Sequence, residues 1–252
     1  MPPGGRGKRV TANDDDVFDR LIRKLSRLAP IEEADREAIR ALPFKRRTVG
    51  ANQMLIREGE RVTTCALLLS GYTCRHKTTS DGARQIVSFH MAGDLLDLDQ
   101  LLLARADHTL QTITEATLAW LPEADVRRLI RDYPRLNEAL WRDTLIDASI
   151  FREWVLNVGR RDAKSRIAHM LCEFAARREA AGLGSPERFD LPMTQEQIGD
   201  ATGLTSIHVN RMLQELARDG VIARDKRQIE ITDWAGLRSI GGFDARYLHA
   251  AA

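Results

Sequence analysis

The spacing of apolar residues changes several times along the chain, and each change predicts a different element. Within VFDRLIRKLSRLAPI (17–31), Val17, Leu21, Leu25 and Leu28 form one stripe, the mark of a short amphipathic helix. A second helical stretch begins near Glu32 and ends by Pro43. From Phe44 to Pro122 the runs shorten, and Gly50, Gly59, Gly71, Gly82 and Gly93 fall 9, 12, 11 and 11 residues apart. ALLLSG, SDG and MAGD supply turn signals, and RQIVSFH (84–90) and LQTIT (110–114) alternate as half-buried strands do. This segment predicts an antiparallel barrel or sandwich.

Helical spacing returns from Glu123 to about Val158, broken once at Pro134. Residues 135–158 carry Leu136, Leu140, Ile146, Ile150, Phe151, Trp154 and Val158, too many apolar groups for one solvated face, while Asp143 and Asp147 interrupt a strict heptad. The pattern predicts a helix packed on its own barrel and on a second helix, most simply its copy in a homodimer. A helix lying wholly on its own barrel is the alternative. Residues 159–181 form another amphipathic helix (Ile167, Met170, Leu171, Phe174), AGLGSPERFDLPMT a loop with a short strand, and GVIARDKRQIEIT (220–232) a two-strand hairpin. The first sixteen residues, MPPGGRGKRVTANDDD, read as a disordered tail. Residues 237–252 read as a C-terminal tail.

Between the loop and the hairpin lies TQEQIGDATGLTSIHVNRMLQELA (194–217), the two helices and tight turn of a helix–turn–helix. Ile198 is an apolar anchor, Gly199 the small residue at the crossing and Gly203 the turn. Thr194 caps the first helix with Gln197 three residues on, a capping box, and Thr205 caps the second. Val209, Met212, Leu213 and Leu216 make the buried face of the second helix. Its other face carries Ser206, Ile207, Asn210, Arg211 and Gln214, which line up at helical spacing. Such a face suits the DNA major groove. Arg211 can give two hydrogen bonds to guanine O6 and N7, and Asn210 can pair with adenine or a phosphate. Ser206 and His208 suit phosphates or base edges, and Ile207 suits a thymine methyl. Arg218, Arg224, Lys226 and Arg227 could flank the phosphate backbone. The expected DNA-contacting set is Thr194, Gln195, Thr205, Ser206, Ile207, His208, Asn210, Arg211 and Gln214.

Charge sharpens this expectation. The net charge of the 252 residues is only +2, so binding to a polyanion must come from local clustering. Cys65, Cys74 and Cys172 show no disulfide framework. No apolar run of about 18 residues or signal start directs the chain to a membrane, so the cytoplasm is the expected compartment.

The segments LLLSGYT, DGARQIVSFHMAGDL and LPMTQEQIGDATGLTSIHVNRMLQELARDGVI resemble the cAMP receptor protein and FNR (Crp/Fnr) family of bacterial transcription regulators, and the likeness covers residues 17–236. It implies an α+β fold: an N-terminal β-roll like a cyclic-nucleotide-binding jelly roll, a long dimerisation helix and a C-terminal winged helix–turn–helix. The corresponding segments are 1–16 (tail), 17–126 (β-roll sensor), 127–158 (dimerisation helix), 159–236 (DNA-binding domain) and 237–252 (tail). The resemblance also implies a homodimer on an inverted-repeat operator in double-stranded DNA, with RNA polymerase as a partner. The family's recognition helix reads bases with Glu, then Ser or Gly, then Arg. Those positions hold Ile207, Asn210 and Arg211, so a guanine contact is kept and the glutamate is lost.

Cyclic-nucleotide binders of the family open their phosphate cassette with Gly-Glu and close it with Arg-Ser. Here Gly93-Asp94 opens it and Ala106-Asp107 stands at its close, with Arg105 one residue off. Three scattered cysteines cannot supply the family's four-cysteine iron–sulfur cluster. Cys74 and His76 share a strand face, but ordinary strand residues account for them, and Asp94, Asp97 and Asp99 read as a cap and a loop edge. No metal and no cofactor are therefore expected. Asp94, Arg105 and His108 remain candidates for an unidentified small effector. No catalytic constellation is present, which argues against an enzyme. Two other readings stay open: a cyclic-nucleotide- or haem-dependent sensor of the same family, and a ligand-sensing module whose helix–turn–helix binds protein.

Overall fold

The structure, a computed structural model, describes residues 17–249; the predicted N-terminal tail lies outside them. Two helices open it, α1 (Asp19–Leu28) and α2 (Glu33–Arg40). α1 buries Leu21, Ile22 and Leu25, while a capping box starts α2: the Asp35 carboxylate accepts from the Glu32 N–H at 2.7 Å. The strands that follow are β1 (Lys45–Val49), β2 (Met54–Ile56), β3 (Thr64–Ser70), β4 (Tyr72–Thr78), β5 (Arg84–Met91), β6 (Thr109–Thr112) and β7 (Ala116–Pro122). They pair antiparallel in two sheets, ordered β1-β7-β3 and β2-β6-β4-β5. Ile56 and Leu110 of one sheet share a core with Ala66, Leu68, Ala116 and Leu118 of the other, which makes the unit a two-sheet β-roll.

Two helices come next, α3 (Glu123–Asp132) and α4 (Pro134–Arg160). Pro134 sits in the first turn of α4, where its missing N–H leaves no helical bond unmade. The expected boundary at 126/127 therefore falls inside α3, and the long helix starts at 134. Leu136, Ala139, Leu140 and Ile150 of α4 are buried, and Ile146, Phe151, Trp154 and Val158 are half-buried. Trp141, Leu145, Val155 and Leu156 face outward, with Val155 73% exposed.

The remaining elements are α5 (Ala163–Ala180), β8 (Arg188–Asp190), α6 (Gln195–Thr202), α7 (Ser206–Arg218), β9 (Ile222–Asp225), β10 (Gln228–Ile231) and α8 (Trp234–Gly241), with a 3-10 turn at Ala245–Leu248. The wing is a three-stranded sheet, β8-β10-β9. Residues 237–249 of the expected C-terminal tail are packed structure, and 250–252 lie outside the described residues. Asp233 caps α8 by accepting from the Gly236 N–H, and α8 lies on α5 with Leu237 and Gly241 buried. Phe243 is buried, and Tyr247 stacks on His169 of α5 at 5.8 Å. Packing against α5, rather than local sequence pattern, holds this segment. Among the described residues, no helix is long and apolar enough to cross a membrane.

Two positions make the energetics of this fold testable. A Cβ on Gly199 would stand 2.4 Å from the Leu204 carbonyl oxygen, where the chain passes from α6 into α7. Gly199→Ala is expected to lower the urea unfolding midpoint by the equivalent of about 1–3 kcal/mol; an unchanged midpoint would show that the crossing has room. Asp97 is fully buried, and neither carboxylate oxygen has a hydrogen-bond partner among the described residues. Burial pushes its carboxyl up to about 7, with Arg75 opposing the shift and Asp99 adding to it. The folded state thus holds a proton that the unfolded chain, with an ordinary carboxyl near about 3.9, releases earlier. Stability should fall as pH rises from about 4 to about 7. Asp97→Asn should flatten that slope and exceed the wild type in stability at pH 8, whereas parallel pH profiles would contradict the assignment.

Candidate nucleic-acid interface

Helix α7 is set by its caps and its turn. The Thr194 hydroxyl accepts from the Gln197 N–H at 3.2 Å, and the Gln197 side-chain oxygen accepts from the Thr194 N–H at 2.9 Å. Gly203 then turns the chain at φ +68°, a left-handed conformation that glycine adopts without a Cβ penalty. Thr205 starts α7 by accepting from the His208 N–H at 3.3 Å. Val209, Met212, Leu213 and Leu216 are buried. Thr194, Thr205, Ser206, Ile207, Arg211 and Gln214 are exposed, and Gln195, His208 and Asn210 are half-buried. Ile207 is 82% exposed. A β-branched apolar side chain on the solvent face of a cap-started helix adds nothing to the core.

This face is tied together by contacts that the sequence does not announce. Gln195 Nε2 of α6 and Arg224 Nη1 of the wing both donate to Asn210 Oδ1, at 3.2 and 3.0 Å. Arg224 Nε also donates to the Lys226 carbonyl at 3.1 Å, across the wing turn. Arg211 Nη2 lies 2.7 Å from His208 Nε2. Arg218, Lys226 and Arg227 are exposed nearby in the chain. The two donors on Asn210 lie 15 and 14 positions from it, so helical spacing alone could not reveal this junction.

The β-roll grips the same unit. Arg84 Nε of β5 donates to Asp200 of α6 at 2.7 Å, Gln85 Nε2 to the Ala201 carbonyl at 3.3 Å, and Gln197 Nε2 to Asn52 Oδ1 at 3.3 Å. Further along, charges from four elements converge. Lys24 Nζ meets Asp94 at 2.9 Å and Asp143 at 2.8 Å, and Arg177 lies 3.6 Å from Asp94 and 3.5 Å from Glu173. Burial alone would raise the Asp94 carboxyl. Lys24, with the His90 imidazole 3.7 Å away and the charge of Arg177, outweighs it and holds Asp94 well below the usual carboxylate range. Burial, followed by Arg75, pushes the His90 imidazole down to about 4, so this histidine is neutral there.

The three effector candidates turn to different partners. Asp94 is committed to Lys24 and to the Met91 N–H, Arg105 Nη1 donates to the Gly59 carbonyl at 2.8 Å, and His108 Nδ1 lies 2.7 Å from Asp107 Oδ1. These residues do not fit a cyclic nucleotide. The carboxylate at the cassette opening is spent inside the protein, and the acidic Asp107 stands at its close. Ligand atoms of Asp99, Asp107 and His108 lie within 4.8 Å of one another. Cys65, Cys74 and Cys172 are free and buried, and burial is the chief cause pushing each thiol up to about 12.

Comparison with known proteins agrees with this architecture. Residues 165–240 match the Crp-like helix-turn-helix domain, and residues 46–133 the cyclic nucleotide-binding domain. The chain is 31% identical over 203 residues to the transcriptional activator protein FnrL of Cereibacter sphaeroides, covering 79% of this chain and 81% of that protein. It is 26% identical over 198 residues to an anaerobic regulatory protein of Haemophilus influenzae, covering 79% and 77%. The solved structure of FixK2 from Bradyrhizobium japonicum superimposes with a TM-score of 0.74 at 24% identity, over 81% of this chain and all of that one. The described fold is thus α+β, with a β-roll, a long helix and a winged helix–turn–helix in that order. Its relatives are regulators of transcription and not enzymes. The chain belongs to the Crp/Fnr family of DNA-binding transcription regulators.

Proposed function

We propose that two copies of the chain, paired along α4, read an inverted-repeat operator by placing one α7 in each of two successive major grooves. The exposed face of α7, with Ile207 open to solvent beside Arg211, carries this reading. Arg211 would read a guanine, Ile207 would pack on a thymine methyl, and Thr194, Gln195, Thr205, Ser206, Asn210 and Gln214 would contact phosphates or base edges. The outward apolar residues of α4 support the pairing. Trp141 and Val155 lie 14 positions apart and Leu145 and Leu156 lie 11 apart, close to four and three whole helical turns. A second helix with the same stripe would bury them. Two-fold pairing of the reading heads dictates an operator with half-sites about 34 Å apart. The protein would work in the cytoplasm, where the chromosome lies, with RNA polymerase as the partner that the family likeness implies.

Selection of bound duplexes from a random pool, with purified protein and no added ligand, tests this reading. Recovery of one inverted repeat with a guanine in each half-site is expected. Arg211→Ala should cost about 1–3 kcal/mol of binding and relax the preference at that guanine. Ile207→Glu should shift the preference towards a cytosine, whose N4 donates to a carboxylate. Equal weakening of all sequences by Arg211→Ala would make Arg211 a phosphate contact and overturn its base-reading role.

A further inference from the structure

Neighbouring side chains settle the orientations of Asn210 and His208. A guanidinium has only N–H donors. The Asn210 atom 3.0 Å from Arg224 Nη1 is therefore its oxygen, and His208 Nε2, 2.7 Å from Arg211 Nη2, is the ring nitrogen without a proton. Asn210 Oδ1 also receives Gln195 Nε2 at 3.2 Å, which occupies both lone pairs of the amide oxygen. To read adenine, an asparagine must accept from N6 while it donates to N7. Asn210 has no acceptor left. It offers only its amide N–H groups, which a phosphate oxygen takes without regard to sequence. Arg211, by contrast, gives one N–H to His208 and keeps enough for guanine O6 and N7, with its guanidinium held to the helix by the imidazole.

We propose that Asn210 is a positioning residue that clamps the wing and α6 to the reading helix, that His208 positions Arg211, and that base discrimination falls on Arg211 and Ile207. This rests on the DNA-reading function proposed above, and it removes Asn210 from the base-reading set that the family pattern implies. It also gives Arg224 a role a solvated wing residue would lack: its guanidinium joins the wing turn, through the Lys226 carbonyl, to the recognition helix.

The test measures binding of the full-length protein to a panel of operator duplexes carrying each base at each half-site position. Asn210→Ala should weaken binding to every duplex by a common factor on the order of tenfold and leave the ranking of bases unchanged. Arg224→Ala should do the same, and the double variant should lose little more than either alone, because both remove one clamp. His208→Ala should blunt the preference at the same guanine that Arg211→Ala relaxes, and His208→Gln, with an amide oxygen as acceptor, should restore part of it. A changed base ranking in Asn210→Ala, multiplying losses in the double variant, or an intact guanine preference in His208→Ala would each overturn the assignment. Thermal melting coincident with the wild type shows that each variant is folded. Wild-type protein with no base preference at any position would instead overturn the DNA-reading function itself.

Discussion

The arrangement of the molecule depends on one buried meeting of charges. Asp94, at the β-turn after β5, faces Lys24 of α1 and Arg177 of α5, and Lys24 also faces Asp143 of α4. Removing one ionised group from water costs several kcal/mol, and only close opposite charges offset it. Each element therefore gains from the others: Asp94 is buried, and without Lys24 of α1 and Arg177 of α5 it would be a carboxylate with no opposite charge beside it. Burial would lower the Lys24 ammonium, yet Asp143, and after it Asp94, hold it above its ordinary value. The charges join the β-roll, the long helix and the first helix of the DNA-binding unit. Trp154 of α4 adds to the junction, donating to Glu173 at 3.0 Å and packing edge-on against Phe89 at 5.5 Å.

A junction of this kind couples the ends of the molecule. Asp94 belongs to the β-roll, and Arg177 extends from the same α5 that carries α8 and packs on α7. A second tie runs directly from β5 to α6 through Arg84 and Asp200, whose charged atoms approach to 2.6 Å. Packed elements shift between discrete arrangements rather than deforming continuously. On the proposed function, these ties set the separation of the two reading heads, since both depend on where α6 sits against β5 and where α5 sits against α4.

Much of the site was legible because it is local. The period of Val209, Met212, Leu213 and Leu216 defines α7, and the Thr194–Gln197 box and Gly203 define its approach within a few residues. Caps, turns and helical stripes are short-range signals. What stayed hidden is long-range. Arg224 and Gln195 reach Asn210 across 14 and 15 positions, and nothing in the pattern HVNR shows that the amide oxygen is already taken. Residues 237–249 resembled a tail because Gly241-Gly242 interrupts a short apolar series, and their order comes from contact with α5, about 70 positions earlier. Asp94, Arg105 and His108 are close in sequence, but Asp94 pairs with Lys24, 70 positions away, and so leaves the group.

In the proposed complex, Arg211 of each protomer grips one guanine from the major groove. Methylation interference at guanine N7 on the selected operator reads this atom directly. Interference at one guanine in each half-site, the two about 10 base pairs apart, is expected for the wild type, and its loss is expected in Arg211→Ala. Binding that tolerates N7 methylation throughout both half-sites, or an interference pattern unchanged by Arg211→Ala, would contradict it.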